Sequence, residues 1–346
     1  MGRLFFREAF LFLAVLGLVL TTPLRGAWPR FSPDELEVLY LLWLLFAATK
    51  ALEREGVFEA LARRLEAGKA LVPKLVLGTF LLAALVTNDA ALFAAMPLVL
   101  ALRQKRVELA ALVIVATNAG STLTPFGNPQ NLYLYWYYNL SPTAFFAAML
   151  PLAGGFFLAL AATALFLSPP PLAPPEEGRV STSLPVLAAL FGVILVILRV
   201  LPLWTSVLAL FLLALWDRKA FRVDYGLLLT FAAFFLLVDN LETLLPARFA
   251  HPHAVFALSM GLSQVLSNVP AAIFLAPLTP SWKALLWGAN VGGFGTPVAS
   301  MANLIALRLF LKDVGGTDRR RFLVLYALTQ AAALVLGLGL YALFHA

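Results

Sequence analysis

Residues 116–131 read Ala-Thr-Asn-Ala-Gly-Ser-Thr-Leu-Thr-Pro-Phe-Gly-Asn-Pro-Gln-Asn and sit between strongly apolar flanks. Two glycines, two prolines and three asparagines in so short a stretch cannot continue a helix. The flanks put this irregular segment at bilayer depth. Polar, non-helical backbone survives there only where it is buried in protein or lines a wet cavity. A second such stretch, residues 290–303, reads Asn-Val-Gly-Gly-Phe-Gly-Thr-Pro-Val-Ala-Ser-Met-Ala-Asn. At one fixed spacing Asn118, Gly120, Thr124-Pro125 and Asn131-Leu132 match Asn290, Gly292, Thr296-Pro297 and Asn303-Leu304.

Composition sets the class. The chain is 62% hydrophobic and only 12% charged, and runs long enough to span a bilayer recur from end to end. There is no cysteine, which excludes disulfides, thiolate metal sites and thiol catalysis. His251, His253 and His345 are the only histidines, and none stands at metal-ligand spacing from a carboxylate. The net charge of +7 is gathered in short loops between apolar runs, which is membrane orientation information and not a nucleic-acid footprint. No nucleotide-binding motif is present, so ATP drive would require a separate subunit.

In chain order the pattern predicts spans at 4–22 (retained, since Glu8 and Arg25 do not suit a cleaved signal) and 36–52. An interfacial amphipathic segment follows over 53–70. Residues 71–102 are apolar but interrupted by Thr87-Asn88-Asp89. Each limb holds roughly 15 residues, or ~22 Å, short of the ~30 Å hydrocarbon core. A re-entrant helical hairpin fits this better than two spans. A broken helix is predicted over 107–138, ending in the aromatic run Tyr133 to Tyr138, which suits an interfacial belt. A span at 143–167 and a cytoplasmic proline-rich linker at 169–183 close the first half. The second half has spans at 184–200, 203–216 and 224–243, a hairpin at 253–281 broken at Ser267-Asn268-Val269-Pro270, a broken helix at 284–311 and a span at 322–344.

The halves therefore repeat, 1–168 against 184–346. At a second fixed spacing Thr87-Asn88, Ala91 and Pro97-Leu98 match Ser267-Asn268, Ala271 and Pro277-Leu278. An odd number of spans between the hairpins makes the repeats inverted. The lysines and arginines agree: Arg25, Arg30, Arg199, Arg248 and Lys283 fall on one face and most of the others on the opposite one. That bias predicts the N-terminus inside and the C-terminus outside the cytoplasmic (inner) membrane, with the first hairpin entering from the cytoplasm.

Inverted repeats with discontinuous helices place binding near the midplane. Thr87, Asn88 and Asp89 would face Asn118, Gly120, Ser121, Thr122, Thr124 and Asn128. Ser267 and Asn268 would face Asn290, Gly292, Gly293 and Thr296. Half-helix N-termini favour anions, and freed carbonyls with Asn, Ser and Thr oxygens suit sodium. Glycine and proline kinks that merely pack helices are the bland alternative, but kinks need not repeat in matched pairs. Asp89 is the one acid at a hairpin tip, and an intramembrane carboxylate is a functional hypothesis by default. Held neutral by a proton or paired with a cation, it can exchange one for the other; a plain N-cap role is the competing reading. Its counterpart is Val269. Asp239, Glu242, Lys50 and Glu53 lie at span ends and read as interfacial before they read as a proton relay. Trp28, Trp204, Trp216 and Trp282 read as interface anchors.

The paired Thr-Asn-Asp-Ala-Ala-Leu (87–92) and Ser-Asn-Val-Pro-Ala-Ala-Ile (267–273) segments, with the two glycine-rich breaks, resemble the ion transporter superfamily. That group holds arsenite permeases, one class of sodium/proton antiporters, citrate permeases and divalent-anion symporters, and the resemblance looks closest to the arsenite-permease and antiporter side. It implies an all-α polytopic membrane protein with a scaffold, often dimeric, and an elevator-type transport domain carrying both hairpins and both broken helices. It implies sodium at Asn88, Asp89 and Gly120 and at Asn268 and Thr296, with substrate between the tips. The dicarboxylate symporters carry Ser-Asn-Thr at both tips, whereas Asp89 and Val269 stand third here; an acid there repels a dianion unless neutralised. The sequence thus predicts an ion-coupled secondary transporter, using H+ or Na+ and no cofactor, for sodium/proton exchange or arsenite-like oxyanion efflux. Uptake of di- or tricarboxylates is the alternative, and a passive channel or a membrane enzyme is less favoured.

Overall fold

The computed structural model describes residues 2–57, 70–102, 106–167, 184–244 and 248–345. The amphipathic segment read over 53–70 lies mostly, and the proline-rich linker wholly, outside the described residues. Those described are helical, with no strand among them.

The first half contains α1 (Gly2–Arg25), α2 (Pro33–Arg54), α3 (Leu71–Leu85), α4 (Asn88–Ala101), α5 (Arg106–Ser121), α6 (Pro129–Tyr137) and α7 (Pro142–Phe166). The second contains α8 (Leu184–Ile197), α9 (Ser206–Trp216), α10 (Tyr225–Leu244), α11 (Pro252–Leu266), α12 (Asn268–Leu275), α13 (Trp282–Val291), α14 (Met301–Asp313) and α15 (Gly316–His345). Starts are written in the sequence. Ser32, Asn128 and Ser141 each cap a helix through the side-chain oxygen, with proline as the next residue, where the missing N–H costs nothing. Helices α7, α10 and α15 are long and apolar enough to cross a bilayer.

Limbs α3 and α4 pack on each other and on α5, and α11 and α12 pack on each other and on α13. Helix α5 is buried over nearly its whole length and is the central rod of the molecule. The halves interlock, since α4 packs on α14 and α12 on α6. Helices α1, α2, α8, α9 and α10 form a second layer through the pairs α1 with α10, α8 with α9 and α2 with α8, and it meets the first through α2 on α6 and α10 on α12.

Ion pairs gather at the helix ends. Arg106 at the start of α5 reaches Asp318 near the start of α15 at 2.6 Å, and Arg321 pairs with Glu108. Arg25 pairs with Asp239, whose carboxylate also accepts from the Arg30 N–H at 2.9 Å. Lys50 and Glu53 pair at 2.8 Å across one helical turn. These carboxylates are matched by neighbouring cations, in keeping with an interfacial role.

The run Tyr133 to Tyr138 is divided: α6 is wedged between α2 and α12, which covers its first residues, while Tyr137 is exposed and Trp136 and Tyr138 are half-buried. Tyr133 and Tyr135 are buried, stacking on Phe235 and meeting Phe145 edge-on. The Tyr138 hydroxyl donates to the carbonyls of Ala276 and Thr279, both at 2.8 Å, tying α6 to the end of the second hairpin.

Candidate transport site

Both hairpins turn inside the protein. Thr87, Asn88, Ser267 and Asn268 are all buried. Thr87 caps α4 by accepting from the Ala90 N–H at 3.3 Å. The Asn88 N–H donates to the Gly127 carbonyl at 2.9 Å, and the Thr124 hydroxyl donates to the Ala84 carbonyl at 2.9 Å. The first tip is therefore stitched to the first break. At the second tip the Thr296 hydroxyl donates to the Gln264 carbonyl at 2.8 Å, the bond equivalent to that of Thr124. A methyl group on Gly293 would lie 2.8 Å from Asn268 Nδ2, so break and tip touch there as well.

The asparagines of the two breaks hold each other. Asn118 Nδ2 donates to Asn303 Oδ1 at 2.7 Å, and Asn290 Nδ2 donates to Asn131 Oδ1 at 2.7 Å. Asn118 Oδ1 accepts from the Ser300 hydroxyl at 3.0 Å, and Asn290 Oδ1 accepts from Asn128 Nδ2 at 3.1 Å. Asn131 Nδ2 reaches the carbonyls of Ser121 and Thr124, as Asn303 Nδ2 reaches those of Gly293 and Thr296. Every bond on the left of these pairings maps to the one on the right at the spacing that aligns the two breaks in sequence. The carboxamides of Asn118, Asn128 and Asn290 are thus satisfied by protein and fix the breaks in register. Asn131 and Asn303 complete the knot. They are already visible as a matched pair in the sequence, but no pattern there names their partners.

Truncating the knot leaves its partners unpaired. Asn290→Ala strips Asn131 Oδ1 of its donor and Asn128 Nδ2 of one of its acceptors, and its expected cost is about 1–2 kcal/mol for bonds at this depth. Thermal unfolding in detergent should show a lower midpoint, with Asn118→Ala shifted by a similar amount.

The remaining predicted residues divide. The Ser121 and Thr122 hydroxyls donate back to the carbonyls of Asn118 at 2.9 Å and Ala119 at 2.7 Å, closing the last turn of α5. Gly120 is pressed against the Phe80 backbone, and Gly292 against Ser263. Thr124 is buried while its counterpart Thr296 is exposed, so the second break is the one open to the surface. Asp89 stands in the first turn of α4, where its own N–H donates to Asn88 Oδ1 at 2.9 Å. Its Oδ1 is enclosed and has no hydrogen-bond partner. A carboxylate oxygen in that position is costly unless a proton or a cation joins it. Val269, its counterpart, is buried.

Two glutamines escape sequence reasoning. The Gln264 Oε1 accepts from the Thr296 N–H at 2.9 Å, and its Nε2 donates to the carbonyls of Met260, Gly292 and Phe294. The Gly295 N–H donates to Gln330 Oε1 at 3.2 Å, and the Tyr326 hydroxyl to the Gly295 carbonyl at 3.3 Å. Gly295 sits at a φ of +106°, which explains its glycine. The sequence signal for Gln264 is the hairpin spacing itself, which pairs it with Ala84.

Comparison with known proteins gives concordant relatives. Residues 7–287 match the family described as citrate transporter. The chain is 35% identical over 324 residues to the inner membrane protein YbiR of Escherichia coli (strain K12), covering 86% of each chain. It is 32% identical over 271 residues to the uncharacterized transporter MJ0456 of Methanocaldococcus jannaschii, covering 71% of this chain and 72% of the relative. Over 148 residues it is 32% identical to the silicon efflux transporter LSI3 of Oryza sativa subsp. japonica, covering 40% of this chain and 30% of that one.

Proposed function

Because the chain belongs to the citrate transporter family, we propose that it is an ion-coupled secondary transporter in which Asp89 is the coupling carboxylate. The family and the relatives support a multi-pass membrane transporter of ions or anions. The observation that carries the finer reading is the enclosed, unpartnered Asp89 oxygen at a buried hairpin tip. A cation or proton bound there neutralises the charge, and the tip and break can then carry it through the membrane.

The architecture in this reading is two inverted repeats. The duplicated asparagine knot and the duplicated Thr124 and Thr296 bonds support it, because a local two-fold reproduces contacts at a constant sequence spacing. The layer of α1, α2, α8, α9 and α10 serves as scaffold, and the hairpins with their broken helices as the elevator-type transport unit. In this reading the N-terminus lies inside and the C-terminus outside, supported by the distribution of basic residues and by the Arg106–Asp318 pair, which joins two of the basic helix ends.

For substrate, sodium/proton exchange or efflux of an arsenite-like oxyanion is the leading reading. Asp89 at the tip disfavours a dianion, and a relative named a silicon efflux transporter lies on the inorganic side. Cation-coupled uptake of citrate-like acids is the second reading, favoured by the family's description. Purified protein in liposomes on a solid-supported membrane separates them. Currents driven by a sodium jump against a pH gradient, or by arsenite, support the first; currents that need citrate or a dicarboxylate support the second. Flux that runs passively, without saturation at carrier speeds, would overturn both.

A further inference from the structure

Two tip-and-break units built on one plan differ at two positions that bear on what fills them, Ala84 against Gln264 and Asp89 against Val269. In the second, the Gln264 side chain leaves the last turn of α11 and enters the break between α13 and α14. Its Nε2 lies 2.8 Å from the Gly292 carbonyl, 3.0 Å from that of Phe294 and 3.2 Å from that of Met260. The amide orientation is fixed by its partners. The Thr296 N–H can donate only to Oε1, at 2.9 Å, and a flipped amide would set Oε1 against three carbonyl oxygens.

An electropositive group ringed by carbonyls freed from a helix break is the arrangement in which transporters of this build hold a sodium ion. Here the ring is already satisfied by the protein's own N–H donors. In the first unit the equivalent position is Ala84, whose side chain ends at Cβ. No amide from that hairpin limb reaches the carbonyls of Gly120 and Thr122, the counterparts of those of Gly292 and Phe294; among the described residues they accept only from the break itself, from the Leu123 N–H at 3.2 Å and from Asn131 Nδ2 at 3.3 Å. That unit instead carries Asp89 with its unpartnered oxygen, where the second has Val269.

We infer that the Gln264 amide is a built-in substitute for the second cation, so that cation coupling is confined to the first hairpin and its break. The inference rests on the ion-coupled reading above and extends it to stoichiometry: the number of ions per cycle is set by one side chain. Gln264 is in this sense a specificity-determining residue for the coupling ion.

Binding of radioactive sodium to purified protein, with choline chloride as the ionic-strength control, tests it without a known substrate. Gln264→Ala should bind one more sodium per chain than the wild type. Gln264→Glu, which sets a carboxylate among the carbonyls, should show a melting temperature that rises with sodium and not with choline, beyond any wild-type rise. The Glu variant serves as the readout if the Ala variant does not fold. Unchanged stoichiometry in a folded Ala variant would overturn the proposal, as would a Glu variant with no added sodium dependence. Wild-type protein that already binds two sodium ions would also overturn it. Failure of the ion-coupled reading would appear separately, as wild-type liposomes in which no gradient drives flux, and it would leave the binding counts as they stand.

Discussion

Asp89→Asn should abolish ion-coupled transport while leaving the fold intact. The substitution keeps the shape of the side chain and removes its charge and its capacity to exchange a proton. The cap of α4 does not depend on it, because Thr87 supplies the oxygen that accepts from the Ala90 N–H. The Asp89 N–H bond to Asn88 Oδ1 is made by backbone and survives as well. What disappears is the negative charge behind an enclosed oxygen, without a protein partner, at the N-terminal end of a helix, where a carboxylate is favoured and an ion can join it. Coupled flux in proteoliposomes should fall by about 100-fold or more, the scale on which a positioned proton-transferring group acts. The melting temperature should hold or rise, since an unpaired intramembrane charge is a cost to the folded state. That pair of results distinguishes a coupling residue from a structural one. Undiminished gradient-driven flux in the Asn variant would reject the role given to Asp89.

The helical class and the places where helices break were legible because membrane physics leaves so few options. A limb of 15 residues is short for a span and Thr87-Asn88-Asp89 is small for an exposed connection, and α3 and α4 meet at a buried turn. Glycine, proline and asparagine in the middle of apolar runs had to mark breaks, and the breaks fall over 122–128 and 292–300. What the one-dimensional pattern could not carry was the identity of side-chain partners. Asn118 and Asn290 look like free ligands in a linear reading, and only the three-dimensional crossing of the two breaks shows that they are spent on Asn303 and Asn131. The aromatic run was legible only in part for the same reason, its first tyrosines being buried and Tyr137 exposed. Tyrosines at a span end suit an interface equally well against lipid or against protein, and the choice is made by α2 and α12, remote in sequence. Gln264 was invisible as a residue and visible as a difference, since it mattered only against Ala84 in the other half.

Gly120→Ala should destroy both stability and transport, and it tests the contact on which the site stands. In the last turn of α5 a methyl group on Gly120 would lie 2.0 Å from the Phe80 carbonyl oxygen, 2.7 Å from its carbon and 2.9 Å from its Cα. All three atoms are backbone, so no rotamer change relieves the clash. Helices α3 and α5 would have to part by more than an ångström. The same approach sets the geometry of the Thr124 bond to the Ala84 carbonyl and of the Asn88 N–H bond to Gly127, and both would open with it. Small residues are what allow helices to meet so closely without a hydrophobic drive between them. The expected loss is about 3 kcal/mol, the upper end of the usual range for overpacking, seen as a large drop in melting temperature and loss of gradient-driven flux. Gly261→Ala in α11 is the matched control. Nothing lies within 4 Å of the added methyl group, and there alanine should be neutral or stabilising by about 0.5–1 kcal/mol. Equal melting temperatures for the two variants would mean that α3 and α5 do not approach this closely in the membrane. The tip of the first hairpin would then lose the wall that brings Asp89 to the break.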